Sequence, residues 1–377
     1  MASRYDVIVV GVGGMGSAAC YQLAQRGQRV LGLERFDIGH TNGSSHGVTR
    51  IIRLAYFESP VYVPMLRRAF ELWRETGDRF GEPLLITTGG IDASPEGDRV
   101  FTGSLESCRV HDLPHEVLTG AEVNRRFPGY RLPATHRAVF QPDGGMVLSE
   151  RAIVAHVTMA TAAGAEIHTR EKVLEWQPIA GGGVRVVTDR GGYEAGRLIL
   201  SAGGWISDFV PALEAIAVPE RQVVGWFRPS APEKFAPGAF PVSVVAVDEG
   251  LFYLLPVYGI PGLKLGRYHH LHEHGHADAL SHGVTGADEE ALRACLAPYL
   301  PEANGPVVKL QSCMFTVTPD EHFIIDTMPG NDDVIVASPC SGHGYKFASV
   351  VGEILADLAV GGSSRFDLST FSLSRFA

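Results

Sequence analysis

The order of events in the first 34 residues constrains this chain more than any other feature. Asp6-Val7-Ile8-Val9-Val10 is a short β-branched run that reads as a buried parallel strand, and it leads straight into Gly11-Val12-Gly13-Gly14-Met15-Gly16. Ser17 to Gln25 is helix-compatible, Gly27 ends it, and Val30-Leu31-Gly32-Leu33 forms a second strand that stops at Glu34. A strand–helix–strand unit uses each glycine differently. Gly11 permits the tight turn, Gly13 lets a ligand come against backbone, and Gly16 lets the helix pack closely on the sheet.

A diphosphate fits the helix N-terminus, where free N–H groups and the helix dipole favour anions. Glu34 can accept from both ribose hydroxyls and would repel a 2′-phosphate, so FAD or NAD fits and NADP does not. The alternative is a βαβ unit whose glycines serve packing alone. It requires three glycines and an acid to fall at useful positions by accident.

At 377 residues the chain exceeds one simple core, so two domains, possibly interleaved, are expected. Its 45% hydrophobic and 20% charged residues describe an ordinary globular protein. A formal charge of −10 argues against a nucleic-acid partner. No run reaches transmembrane length and residues 1–5 carry no signal pattern, so the expected setting is cytoplasmic, away from any membrane. Five cysteines without metal-type spacing favour a reducing compartment, and Cys20 reads as a small buried helix residue. His269, His270, His272, His274 and His276 crowd one segment that could hold a metal, but such a segment is more often a solvated loop, and no metal is expected.

A polar loop, Phe36 to Arg50, follows Glu34 and runs into Ile51-Ile52-Arg53. It reads equally as a cofactor-side loop bringing Arg50 and Arg53 or as a surface turn before a salt-bridged helix. Tyr62–Gly77, Thr119–Phe127 and Ser149–Ala163 read as helices, the last with Ser149 as a possible cap and Gly164 as its stop, and residues between Ile91 and Thr119 read as a looser acidic region. Glu166 to Ala195 reads as a β-meander, and Arg197 to Ser201 as a strand returning to the nucleotide sheet. Longer strands from Gln222 to Tyr268, with a helix at Glu289–Tyr299 and a strand at Leu310–Val317, form an antiparallel roof. Two short buried strands and a helix opening at Ser341-Gly342-His343-Gly344 turn back to the first domain.

Three stretches carry a specific resemblance. They are His40-Thr41-Asn42-Gly43-Ser44-Ser45-His46-Gly47 with Thr49 to Arg53, Cys313-Met314-Phe315-Thr316 with Thr318 to Glu321, and Ser341 to Phe347. Together with the glycine turn they make the chain, over essentially its whole length, resemble the monomeric sarcosine oxidase family, with its N-methyltryptophan and pipecolate oxidase relatives. The resemblance implies an α/β plus α+β fold, with a Rossmann-like FAD-binding domain and a discontinuous, mostly antiparallel substrate domain. The corresponding boundaries are 1–80, 145–215 and 319–377 for the first and 81–144 and 216–318 for the second.

The resemblance further implies an FAD attached covalently through Cys313. The cofactor positions are Gly11, Gly13, Gly14, Met15, Gly16, Glu34, Ser44, Thr49, Arg50, Gly342, Gly344 and Lys346. Lys264 matches the lysine assigned to oxygen activation, and Arg50, Thr49 and His46 match its neighbours. Arg53 and Lys346 match the pair that holds a substrate carboxylate, and Tyr253 a pocket tyrosine. His269 is matched to a histidine near the amine, with His270 as competitor because Arg267 is an apparent insertion. Phe315 stands where the best-known member has tyrosine, which leaves room for a bulkier or more apolar N-substituent than that of sarcosine. The implied reaction takes a secondary amino acid, with sarcosine first, and oxygen to an imine that hydrolyses and hydrogen peroxide, in a monomer with no obligate protein partner. Rival readings are a flavin-dependent amine dehydrogenase and a non-enzymatic NAD-binding Rossmann protein.

Overall fold

The structure, a computed structural model, describes residues 4–376. Its opening strand, Arg4–Val10, pairs in parallel with Val30–Leu33 on one side and Gly192–Leu200 on the other. Val7, Ile8 and Val9 are buried, as a strand covered on both faces requires. The helix Gly14–Gln25 connects the first two strands. Gly11 takes φ +86°, and a Cβ on Gly16 would lie 1.8 Å from the Gly11 carbonyl oxygen. Only glycine at 16 lets the helix come this close to the turn.

Eight strands make this sheet. Gly192–Leu200 changes partner along its length, accepting Val184–Thr188 antiparallel beside its first half and Asn331–Ser338 parallel beside its second. Ile324–Met328 pairs antiparallel with Asn331–Ser338. Glu166–His168, expected in a meander with the strands after it, instead pairs in parallel with Val30–Leu33. The helix Ser149–Ala162 precedes it and supplies the crossover that a parallel partner needs.

A second eight-stranded sheet runs, in spatial order, Val307–Val317, Val218–Phe227, Leu263–Arg267, Gly250–Leu255, Val242–Val247, Gly90–Pro95, His136–Gln141 and Glu116–Thr119. Its pairs are antiparallel except that between Val242–Val247 and Gly90–Pro95. A small sheet of Thr49–Ile52, Gly145–Leu148 and Leu85–Thr87 completes the architecture. The β-branched pair Ile51-Ile52 therefore continues the polar loop as a strand, not as a helix.

Two local expectations are corrected. The region between Ile91 and Thr119 contains the helix Arg99–Val110, capped by the Asp98 carboxylate accepting from Val100 N at 2.8 Å and burying Val100, Phe101, Ser104, Ser107 and Cys108. Ser149 is the first helical residue rather than the cap, and its hydroxyl donates to Glu150 at 2.6 Å. Cys20 is fully buried. No described helix is long and apolar enough to cross a membrane.

The Gly16 contact predicts that Gly16→Ala destabilises the protein by about 1–3 kcal/mol or more, the usual cost of overpacking. Urea unfolding followed by far-UV circular dichroism measures it; an unchanged midpoint would mean that the helix does not need this close approach.

Candidate active site

One large cleft lies between the two eight-stranded sheets, with an empty volume of about 1800 Å³ that includes its open mouth. Its walls are mostly apolar with a few converging polar groups, as the walls of ligand sites are. The Gly11–Met15 turn and Glu34 line one end; Arg53, Tyr253, Lys264, Cys313 and Lys346 line the other.

The first end fits a dinucleotide. A Cβ on Gly13 would meet only Ser45 Oγ, at 3.5 Å, so the backbone there is open to a ligand. Glu34 accepts from Val12 N at 2.8 Å through one oxygen and from Phe36 N at 2.9 Å through the other. A carboxylate has about four lone-pair sites, which leaves acceptors for ribose hydroxyls. Burial opposes its ionisation, yet His40 and the two N–H groups hold the carboxyl below its ordinary range. Ser44 Oγ is buried without a partner, an orphan that a bound group would satisfy. Gly14, Met15, Thr49, Arg50, Gly342 and Gly344 also line the cleft. Gly16 does not; it acts through packing alone.

At the centre the loop through Gly47 and Val48 is held from two sides. Glu150 accepts from both of their N–H groups, at 2.7 and 2.9 Å, and Lys264 donates to the carbonyls of Gly47 at 2.7 Å and Thr49 at 2.6 Å. Burial, and then the neighbouring Arg50 charge, push the Lys264 ammonium well below its ordinary value. Arg50 donates to the carbonyls of Thr49 and Ser44, both at 3.0 Å, and lies 3.8 Å from Cys313 Sγ. His46 sits behind this group rather than on the cleft. Its Nδ1 pairs with Gln311 at 2.9 Å, and burial with the Arg50 charge pushes it down to about 3, so it is neutral.

At the far end Arg53 is buried beside two acids that the sequence did not reveal. It pairs with Glu58 at 2.8 Å and Asp92 at 3.3 Å, while its Nε has no partner. Burial raises Asp92 to about 6, against the pull of Arg53. Lys346 donates to His343 O at 2.7 Å and lies 3.4 Å from Tyr56 Oη. Burial lowers it to about 7, with Glu58 opposing. Burial also takes His343 down to about 4 and Tyr56 well above its usual value, so both stay neutral near neutral pH.

Neither histidine expected near the amine lines the cleft. His269, at φ +51°, turns to Glu220 at 2.7 Å and Glu321 at 3.2 Å, and the hydrogen bond to Glu220, with that to Glu321, raises it to about 9. His270 is buried against Asp288 at 3.0 Å. Tyr268 lines the cleft instead. Its signal was strand alternation: Lys264, Gly266 and Tyr268 share one face, His269 the other. The Tyr268 ring lies 5.4 Å from that of Tyr253 and 5.8 Å from that of Phe315. Tyr253 in turn lies across Gly266, where a Cβ would sit 2.1 Å from its hydroxyl.

Comparison with known proteins agrees with this geometry. The family model described as FAD dependent oxidoreductase matches residues 6–358. Monomeric sarcosine oxidase of Bacillus sp. (strain B-0618) is 41% identical over 380 residues, covering 100% of this chain and 97% of its own. N-methyl-L-tryptophan oxidase of Yersinia pestis (strain Pestoides F) is 35% identical over 378 residues, covering 99% of each. Among solved structures, NikD, an amino acid oxidase of nikkomycin biosynthesis, superposes with a TM-score of 0.83 at 28% identity, covering 98% of this chain and 97% of that one.

The charges at the far end predict a pH dependence. Below about 6, Asp92 is neutral and Arg53 and Lys346 face Glu58 alone; above about 7, Arg53 alone faces two carboxylates. A small carboxylate without an amine is therefore expected to bind more weakly as pH rises through this window, read by titration of its spectral or calorimetric signal. Lys346→Met should flatten the upper part; an unchanged profile would remove Lys346 from the anion site.

Proposed function

The chain belongs to the FAD-dependent oxidoreductase family, among the relatives of monomeric sarcosine oxidase and N-methyltryptophan oxidase, and from that membership we propose that it oxidises sarcosine. It is an FAD-dependent amine oxidase acting on the CH–NH group of a small secondary amino acid with oxygen as acceptor. For sarcosine the balance is substrate, oxygen and water to glycine, formaldehyde and hydrogen peroxide. When bound, with the Gly11–Met15 turn and Glu34 holding its dinucleotide part, FAD would supply the two-electron chemistry between the amine and oxygen.

The observation that carries the substrate class is Arg53: a buried guanidinium on the cleft with an unpartnered Nε, beside Lys346. A guanidinium fork and a lysine point charge suit a small carboxylate in an enclosed pocket. The carboxylate so held would direct the neutral amine toward Tyr253 and Lys264. Lys264 contributes its charge where an oxygen anion develops, and that anion would favour the ammonium that burial disfavours. Arg50, against Cys313 Sγ, supplies the cation that a nucleophilic thiolate needs, and Cys313 is the proposed point of covalent attachment. Residues 1–80, 145–215 and 319–377 are taken as the cofactor-binding part, with 81–144 and 216–318 as the substrate part.

A second reading rests on the aromatic wall of Tyr253, Tyr268 and Phe315. It favours a cyclic or more apolar secondary amino acid such as proline, pipecolate or N-methyltryptophan. Oxygen uptake on sarcosine and these three ranks them; no uptake on any would move a flavin-dependent dehydrogenase to first place.

Two variants test the residue roles. Lys264→Met should slow reoxidation by oxygen by ~10²–10³-fold while leaving amine oxidation much less affected, as removal of one charge-stabilising donor does. Stopped-flow half-reactions separate the two, and an unchanged oxygen step would sink the assignment. Cys313→Ala should release all flavin to the supernatant on acid precipitation, whereas wild type keeps it in the pellet; flavin released by wild type would discard the attachment.

A further inference from the structure

The histidine-rich segment after the strand Leu263–Arg267 has no part in the cleft chemistry, yet it is built against a buried carboxylate. Glu220, in the strand Val218–Phe227, is fully buried. Its Oε2 accepts from His269 Nδ1 at 2.7 Å, but its Oε1 has no hydrogen-bond partner. An uncompensated buried carboxylate oxygen is costly, and natural proteins pair such atoms or give them a metal.

Two imidazoles face that oxygen. His274 Nε2 lies 3.8 Å from it and His272 Nδ1 4.0 Å, and the three donor atoms lie within 4.8 Å of one another. The edge of a tetrahedron with bonds of ~2.0–2.2 Å is roughly 3.4 Å, so small rotamer changes would close the three onto one ion. Backbone contacts set this arrangement. Arg221 N donates to Glu273 O at 2.8 Å and Gly275 N to Pro219 O at 3.1 Å, and Glu220 and His274 form a bridge between the two segments. His272 takes φ +56°, a left-handed turn that returns its ring to the group, stacked on His269 at 6.0 Å. Glu321 in turn holds His269 at 3.2 Å, so the carboxylate's second oxygen has an oriented supporting donor of the kind metal sites use.

We propose that Glu220, His272 and His274 form a site for a divalent transition-metal ion of the zinc type, with water completing the coordination. Two imidazoles and one carboxylate suit Zn(II), Ni(II) or Cu(II) and not Ca(II) or Mg(II), which take all-oxygen shells. The half-exposed and exposed side chains of His274 and His272 leave an entry path from solvent. The site lies behind the substrate end of the cleft. Glu220 is paired across strands with Phe315, and the chain reaches His272 only four residues after Tyr268. An ion here would clamp the 269–274 segment to the sheet that carries both cleft residues.

The test is calorimetric titration of metal-stripped, flavin-loaded enzyme with zinc chloride, with magnesium chloride as a parallel arm. One zinc per chain is expected, with no magnesium binding. His272→Ala and His274→Ala, both at solvent-facing positions, should each weaken zinc binding at least ~10-fold, as loss of one ligand of three requires. Glu220→Gln should do the same, and the histidine variants keep the test valid if that buried change prevents folding. Absence of zinc binding, or binding unchanged in both histidine variants, would overturn the proposal.

Discussion

Lys264 reaches from the antiparallel sheet to the carbonyl oxygens of Gly47 and Thr49, and the geometry of the cleft depends on that reach. Burying an ammonium costs several kcal/mol unless it is well solvated by protein groups. Here two carbonyls do so at hydrogen-bond distance, with the Trp226 ring 5.6 Å away. The loop it holds is itself strained. Val48, a β-branched residue, sits at φ +73°, a conformation that costs about 1–3 kcal/mol and persists only when its surroundings over-determine it. Glu150 on the N–H side and Lys264 on the carbonyl side do this together. Arg50 follows two residues later, and its place against Cys313 is a consequence of the clamp.

Much of this was legible from residue order because the constraints are local. A glycine at 16 and an acid at 34 have meaning through their distance from one strand, and the structure puts them in those relations. The helix Arg99–Val110 was less legible, since its buried face includes two serines and a cysteine and so lacks a strong apolar stripe. The acids around Arg53 were hidden for another reason. Glu58 is near in sequence, but Asp92 comes from a strand of the other sheet and shows itself only as a charge between apolar neighbours, Ile91 and Ala93. Tyr268 was legible in principle. The period of two along Leu263–Arg267 ties it to Lys264, and following that alternation past the apparent insertion would have preferred it to His269.

The substrate end is built to be nearly neutral before anything binds. A lone buried Arg53 would attract any anion, including inorganic ones. With Glu58 and Asp92 already on it, an incoming carboxylate must compete with fixed carboxylates, and it gains only where it adds a contact they lack. The unpartnered Nε is such a contact. On the proposed reading, selectivity would depend less on charge than on whether the rest of the ligand packs against Tyr253, Tyr268 and Phe315.

That division of labour explains which part of the cleft is free to vary. At the dinucleotide end the glycine turn presents backbone to the ligand, and an added Cβ on Gly11 would lie 2.5 Å from Ser201 O, so substitution there disturbs the sheet itself. At the substrate end the wall is made of side chains at the end of a strand. Tyr268 is followed at once by His269, which is held through its side chain to Glu220 and Glu321 rather than by a strand ladder. Changes in the residues after this strand end would therefore alter which group faces the substrate without moving Lys264, Arg50 or Cys313. A family that keeps one redox centre while changing its amine would be expected to place its variation there.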